Sequence, residues 1–293
     1  MRVKNFTVSI AVFLQLLIID ACGSGQNNSW DSQKYARHGQ SQMMDAQAVI
    51  SQLPDDKLSR ILDVGCGTGT STQLLLDRYP QAEVTGIDPS QSMINYANHR
   101  FSYNRRVQLL KFSAEDYIAE KPYDMVFSSF ALHWIPKESM PLALKNIGRN
   151  LRNGGILCCI FSSSKVGLPF QRALDKTLSD RCFLKLFSKF KDPQVFYTVD
   201  EFRCILEKEG FFINEIGYFF NKKTYLSIES LRKWVGQWLS YSRYLVSVSH
   251  YEYKKFMDVL MKNYMTESKQ VSGSPVTWGE YVLIAKAKKT VDK

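Results

Sequence analysis

The sequence predicts an α/β fold: a doubly wound, mostly parallel sheet of seven strands with a helical insertion near its C-terminal end. Three observations predict it. Short apolar runs alternate with helical runs of about ten residues between positions 60 and 161, and strands spaced this way form parallel sheets covered on both faces. A loop with three alternate glycines joins the first strand to the first of these helices. Of 293 residues, 45% are hydrophobic and 13% aromatic, enough for a large core and unlike a disordered or collagen-like chain.

In chain order, Asp45 to Leu53 reads as a helix closed by a Pro54-Asp55-Asp56 turn. Arg60 to Val64 is the first strand, Thr70 to Tyr79 a helix, Glu83 to Ile87 the second strand and Gln91 to Arg100 a helix. Val107 to Phe112 and Met125 to Ser129 are strands three and four. Leu142 to Leu151 is a helix, and Ile156 to Phe161 is strand five after an Asn153-Gly154-Gly155 turn. Beyond Ser164 a basic, aromatic-rich helical region runs to Lys191. Thr198-Val199-Asp200-Glu201 is a capping box that opens a helix closed by Gly210. Phe211 to Phe220 is strand six, Ile228 to Leu239 and Tyr251 to Tyr264 are helical, and Tyr281 to Ala287 is strand seven. The helices between the last strands are expected to form a lid over the C-terminal edge of the sheet. The organisation is thus a leader or N-terminal helix (1–25), a core (26–164), and a segment carrying the last strands and the lid (165–293).

The formal charge is +10, of which residues 165–293 carry +8 (22 basic, 14 acidic). Such a half favours anionic partners, although scattered lysines also serve simply as solvated surface. Six cysteines stand at 22, 66, 158, 159, 182 and 204 with no CxxC pair, so neither a zinc site nor a disulfide framework is legible. Cys158 and Cys159 lie in an apolar run where neighbours point to opposite faces.

Arg2 and Lys4 precede an apolar stretch from Phe6 to Ile19, and Ala21-Cys22-Gly23-Ser24 follows, resembling an export or lipoprotein signal. Fourteen residues are fewer than the roughly 20 a spanning helix needs. Asp20 departs from the small residue expected before a lipidated Cys. The alternatives are export or anchoring through Cys22, a leader from an upstream start, and a packed helix.

Gly65, Gly67 and Gly69 fall just after strand one, where the backbone must turn tightly and admit a ligand without a Cβ in the way. Asp88 ends strand two, 23 residues after Gly65, in position to accept hydrogen bonds from a ribose diol. Together they point to a nucleoside. A dinucleotide loop GxGxxG would need Gly at position 70, where Thr70 stands. The shorter GxGxG suits S-adenosylmethionine, which has no pyrophosphate.

With these motifs in order over residues 30 to 161, the sequence resembles the class I S-adenosylmethionine-dependent methyltransferases, which have a Rossmann-like fold. The resemblance implies that S-adenosylmethionine is the cofactor, that Gly65, Gly67 and Gly69 face its methionine portion and that Asp63 lies beneath the loop. It implies further that Asp88 holds the ribose with Pro89, Ser90 and Met93 nearby, that Ala114 and Glu115 meet the adenine amino group, and that Ser128 and Tyr35 lie against the cofactor. Glu115 replaces the commoner Asp, and Asn153 stands where the family usually has Pro. Gln42 is expected to fold over the cofactor with Tyr35.

Trp30-Asp31-Ser32-Gln33-Lys34-Tyr35 and Phe130-Ala131-Leu132-His133-Trp134 resemble the trans-aconitate methyltransferases. The malonyl-acyl-carrier-protein methyltransferases of biotin synthesis share the second segment, with Gln usual at His133, and insect juvenile hormone acid methyltransferases share the general plan. All three families esterify carboxylates. An ionised carboxylate needs no general base, metal or nucleophilic triad to accept a methyl group, and none is legible. His133 and Trp134 are the expected catalytic residues, bordering the methyl group, with His133 donating to the acid. Arg243, Lys222 and Lys223 are candidates for anion binding. Trp234, Trp238 and Tyr241, at spacings of four and three, read as one helical face, either core or an aromatic wall for the acceptor.

The expected partner is a small carboxylic acid or acyl carrier protein, with no nucleic acid, because Ser128-Ser129-Phe130-Ala131 stands where a base-reading tetrad would be. A membrane enters only if the N-terminal segment is a retained anchor. A non-catalytic envelope lipoprotein on this fold and a dehydrogenase are the competing readings. The cytoplasm, where the cofactor is made, is the expected compartment.

Overall fold

The computed structural model describes residues 30–54, 57–163, 168–271, 273 and 275–290. The suspected signal, Cys22 and the expected boundary at Ser164 lie outside them. Two helices open the described chain: α1 (Ser32–His38), capped by the Asp31 carboxylate on the Lys34 N–H at 2.9 Å, and α2 (Gln40–Ile50). Then β1 (Arg60–Val64), α3 (Thr70–Arg78), β2 (Glu83–Ile87), α4 (Gln91–Arg100) and β3 (Val107–Leu110) follow in strict alternation. β4 (Tyr123–Ser129), α5 (Met140–Asn150) and β5 (Leu151–Ser162) complete the parallel part. The C-terminal part runs α6 (Pro169–Leu178), α7 (Arg181–Leu184), α8 (Val199–Lys208), β6 (Phe211–Tyr225), α9 (Ile228–Trp238), α10 (Ser240–Val248), α11 (His250–Glu267) and β7 (Val276–Lys289).

The seven strands lie in the order β3-β2-β1-β4-β5-β7-β6. β1 to β5 pair in parallel, and β7 enters antiparallel between β5 and β6. The chain leaves β1 toward one edge and returns at β4 to build toward the other. That reversal opens a crevice at the C-terminal ends of β1 and β4.

Alternate residues of each strand feed two separate cores, as side chains two apart on a strand must. On one face Leu62, Val126, Leu157, Cys159 and Phe161 pack under α5 and α8. On the other, Ile61, Val84, Cys158 and Ile160 pack under α2, α3 and α4. The vicinal cysteines are therefore in different layers, both buried and unpaired. A third core, around Phe170, Phe183, Trp234, Phe256 and Trp278, unites α6, α7, α9, α10 and α11 as the lid. Among the described residues no helix is long and apolar enough to cross a membrane.

Several bounds depart from sequence expectation. β6 runs five residues past Phe220 to Tyr225 because β7 pairs with it throughout, Asn221 opposite Glu280 and Tyr225 opposite Val276. Backbone pairing overrides the polar Asn221 to Thr224. β5 absorbs the expected turn at Asn153 to Gly155, which survives as a slip in its pairing with β4. α2 begins at Gln40, not Asp45. The expected continuous face of Trp234, Trp238 and Tyr241 is interrupted: Leu239 is extended (φ −66°, ψ 115°), α9 stops, and α10 restarts at Ser240. Tyr241 therefore packs on Phe187 and Phe190, away from the two tryptophans.

Candidate active site

All three loop glycines have positive φ, between 53° and 79°, the region that costs an L side chain about 1–2 kcal/mol. They differ in what a Cβ would meet. At Gly65 it would lie 2.1 Å from the Ala131 Cβ, and at Gly69, the residue before α3, 2.4 Å from the Phe101 ring. At Gly67 nothing lies within 4 Å. Gly65 and Gly69 are thus required by the protein's own packing, whereas Gly67 borders open space.

Gly67 also lines a cavity of about 840 Å³, counted to its mouth, at the C-terminal ends of β1, β2, β4 and β5. Gly65, Gly67, Asp88, Pro89 and Met93 form one wall. Asp88 braces it: one carboxylate oxygen accepts the Gly67 N–H at 3.0 Å and the other the Ser90 N–H at 2.8 Å. Burial raises its pKa, against those two bonds. Beneath the loop, Asp63 accepts the hydroxyls of Ser71 and Thr72, both at 2.7 Å, and burial pushes it up to about 6.

Trp30, Tyr35, Gln42, Trp134, Trp234 and Trp238 form the opposite wall and roof. Trp30 stands edge-on to both Tyr35 and Trp134, and the Trp234 indole N–H donates to Gln42 at 3.3 Å. Burial raises Tyr35 to about 12 and lowers His133 to about 3, so the histidine is neutral at ordinary pH. His133 lines the cavity at 3% exposure, and its Nδ1 has no hydrogen-bond partner among the described residues. Arg243 lays its guanidinium 3.7 Å from the Trp30 ring centre and 5.4 Å from that of Trp134. No hydrogen bond or ion pair to that guanidinium occurs among the described residues, and burial lowers its pKa to about 10.

The structure thus brings Tyr35, Gly65, Gly67, Asp88, Pro89, Met93, His133, Trp134, Trp234 and Trp238 to one cavity, with Arg243 against two of its rings. Other predicted residues stand elsewhere. Ser128 points away and donates to the Val64 carbonyl at 2.9 Å, tying β4 to β1; its neighbour Ser129, on the other face, lines the cavity. Ser90 caps α4, and Gly69 supports Phe101. Ala114 is buried, while the Glu115 carbonyl accepts the Asn146 amide. Lys222 is exposed, and Lys223 is engaged by Asp45 at 2.6 Å and Glu280 at 3.5 Å, so neither offers a cation to the cavity.

Sequence reasoning missed Ser129, Phe130, Ser162, Gln194 and Glu280, all on the lining. Phe130 carries φ 52°, a left-handed conformation rare for an aromatic residue and typical of functional loops. An acid two residues past Trp278, entering an apolar strand, was the signal available for Glu280. Among the described residues no cluster suited to a metal ion occurs.

Comparison with known proteins agrees with this geometry. Residues 61–155 match the methyltransferase domain family, and the glycine loop, Asp88 and β4 all fall inside the matched stretch. The chain is 30% identical over 129 residues to trans-aconitate 2-methyltransferase of Azoarcus sp. (strain BH72), covering 44% of this chain and 49% of that protein. It is 31% identical over 166 residues to malonyl-[acyl-carrier protein] O-methyltransferase of Priestia megaterium, covering 56% and 58%. The chain therefore spans about half the length of the curated relatives it matches. Among solved structures, the cyclopropane synthase MmaA2 from Mycobacterium tuberculosis superposes with TM-score 0.55 at 18% identity, over 84% of both chains. Haemonchus contortus phosphoethanolamine N-methyltransferase 2, solved with S-adenosylhomocysteine, gives 0.55 at 17%, over 85% of this chain and 53% of that one. At these identities the likeness is one of fold.

Proposed function

We propose that this protein is an S-adenosylmethionine-dependent methyltransferase whose acceptor atom is a carboxylate oxygen. The cofactor fits the residues present. A carboxylate offers about four acceptor positions, and Asp88 spends two on Gly67 and Ser90, leaving two for a ribose diol. Gly67 presents bare backbone to the cavity where a ligand must approach closely. Pro89 and Met93 supply an apolar flank, and Glu115 remains the residue proposed to meet the adenine.

When bound, the cofactor supplies an electrophilic methyl group on a sulfonium. The chain's own residues do the rest. Arg243 carries the reading to a carboxylate: a desolvated guanidinium stacked on the cavity's rings with no carboxylate of its own is suited to bind one. An acid bound there is already ionised, so no group has to remove a proton. The neutral His133 is then a hydrogen-bonding group to the acid and not a base. Trp30, Trp134 and the lid exclude water and hold the acid in line, which is where most of the acceleration of such a transfer arises.

The named relatives provide the first acceptors to try, trans-aconitate and malonyl-acyl carrier protein. The second has support in the +8 charge of residues 165–293, which suits an acidic carrier. The reading places the protein in the cytoplasm, with the cofactor supply. Transfer of label from S-adenosylmethionine, scored as base-labile ester on trans-aconitate, the carrier protein and a simple monocarboxylic acid, tests it. Base-labile label on any of them supports carboxyl transfer. Label found only in base-stable product, or on an amine, overturns it.

A further inference from the structure

Glu280 lies on the cavity lining, on β7, and the methyl-transfer chemistry does not use it. Its Oε1 is 3.5 Å from the Lys223 ammonium, which sits closer to Asp45, at 2.6 Å. Asp45 also accepts the Asn221 amide. One largely covered cation is thus shared between the buried Asp45 and the part-buried Glu280, and the nearer carboxylate is not on the cavity. Burial pushes the Glu280 carboxyl upward, with Lys223 opposing and Asp45 reinforcing.

The rest of the lining sharpens the point. None of the described lining residues is Lys or Arg; its ionisable groups are Asp88, Glu280, Tyr35 and the neutral His133. Four indoles, from Trp30, Trp134, Trp234 and Trp238, make up much of the acceptor side, with Gln42 and Gln194 as amides. Among the described residues two cations lie against those rings: Lys223, 5.7 Å from the Trp234 centre and already engaged, and Arg243, which is beside the Trp30 and Trp134 rings without itself being on the lining. Among the described residues Arg243 is therefore the cation beside the cavity that no carboxylate already engages.

Building on the carboxyl reading, we propose that the acceptor is a monocarboxylate with an uncharged, largely apolar body, that Arg243 holds its single carboxylate, and that Glu280 turns away acceptors carrying further negative charge. A second or third carboxylate would lie among indoles with no cation to pair it, and like charge on Glu280 would repel it. An apolar body exchanges water for ring faces and gains on burial. Indoles and acids also suit a cationic amine, but Arg243 against two of the rings opposes it.

Calorimetry on the full chain saturated with S-adenosylhomocysteine, with octanoate, trans-aconitate and octylammonium as probes, tests the proposal. Octanoate is expected to bind at least about tenfold more tightly than either of the others. Glu280→Gln should narrow the gap between octanoate and trans-aconitate, and Arg243→Gln should abolish the preference for octanoate over octylammonium. Trans-aconitate binding as tightly as octanoate, or octylammonium binding best, overturns the proposal, and this wild-type panel decides even where a variant fails to fold. Ester formation in the same samples with S-adenosylmethionine reads the underlying function separately. Octanoate bound but never esterified removes carboxyl transfer while leaving the charge selection of the cavity intact.

Discussion

The two walls of the cavity are built on different principles. The glycine-loop wall comes from consecutive elements, β1 to α4, and Asp88 is anchored by backbone N–H groups 2 and 21 residues away. The other wall gathers side chains from α1, α2, α9 and β7, and the contacts that brace these elements, Gln42 with Trp234 and Asp45 with Lys223, span 192 and 178 residues. Local hydrogen bonds hold the first wall in shape whatever the lid does. The second exists only once the lid and the sheet edge have packed, so damage to it should appear as lost stability or altered selectivity, and damage to the first as lost cofactor binding.

The sharpest way to break this contrast lies in the acceptor wall. Lys223→Met leaves the buried Asp45 and the part-buried Glu280 without their cation, and stability should fall by about 3–5 kcal/mol in denaturant unfolding; its exposed neighbour Lys222→Ala should change it by less than about 0.5 kcal/mol. In the loop wall, Asp88→Ala removes two charge-assisted acceptor positions for a ribose. S-adenosylhomocysteine should then bind about 100-fold more weakly, on about 1.5 kcal/mol per bond, and unchanged affinity by calorimetry would remove the ribose role.

Two glycines separate packing from ligand approach within a single loop. Gly65→Ala drives a Cβ into Ala131 and should lower stability by about 2–3 kcal/mol. Gly67→Ala should cost only about 1–2 kcal/mol of backbone strain yet weaken cofactor binding, because its Cβ meets no protein atom and the residue lines the cavity. Equal melting temperatures for the two would break that distinction.

His133 provides the smallest effect. Its pKa is lowered from 6.5 to about 3, so between those values the unfolded chain binds the proton that the folded chain refuses. Its contribution to stability is complete above about 6.5 and is lost as the pH falls toward 3. Asp63, raised from 3.8 to about 6, works the opposite way, disfavouring the fold as the pH rises through that range. Wild type should therefore lose more melting temperature between pH 7 and pH 5 than His133→Gln does, which isolates the histidine from the aspartate. A parallel decline in both proteins would show that His133 titrates normally.

How much could be read beforehand follows the same division. The strand–helix alternation, the GxGxG loop and Asp88 all depend on residues close in sequence, and the seven-stranded sheet appears as expected. The Trp234, Trp238 and Tyr241 face was misjudged because one extended residue, Leu239, ends a helix without any Gly or Pro to announce it. From the sequence Lys223 is either an anion-binding candidate or a solvated surface charge, and neither holds, because its partners stand 178 and 57 residues away. Ser128 and Ser129 exchanged roles through strand alternation, which fixes which side chains share a face but not which face meets a ligand.

From the sequence alone came the fold class, the nucleoside loop and its acidic partner, because glycine stereochemistry, strand periodicity and turn chemistry act over a few residues. Only the tertiary structure decided that Gly69 serves Phe101, that Glu280 and four indoles border the cavity, and that Arg243 stacks on two of those rings with no hydrogen-bond or ion-pair partner among the described residues. Those outcomes depend on which distant side chains exclude water from one another, and burial of that kind is a property of the assembled core and lid.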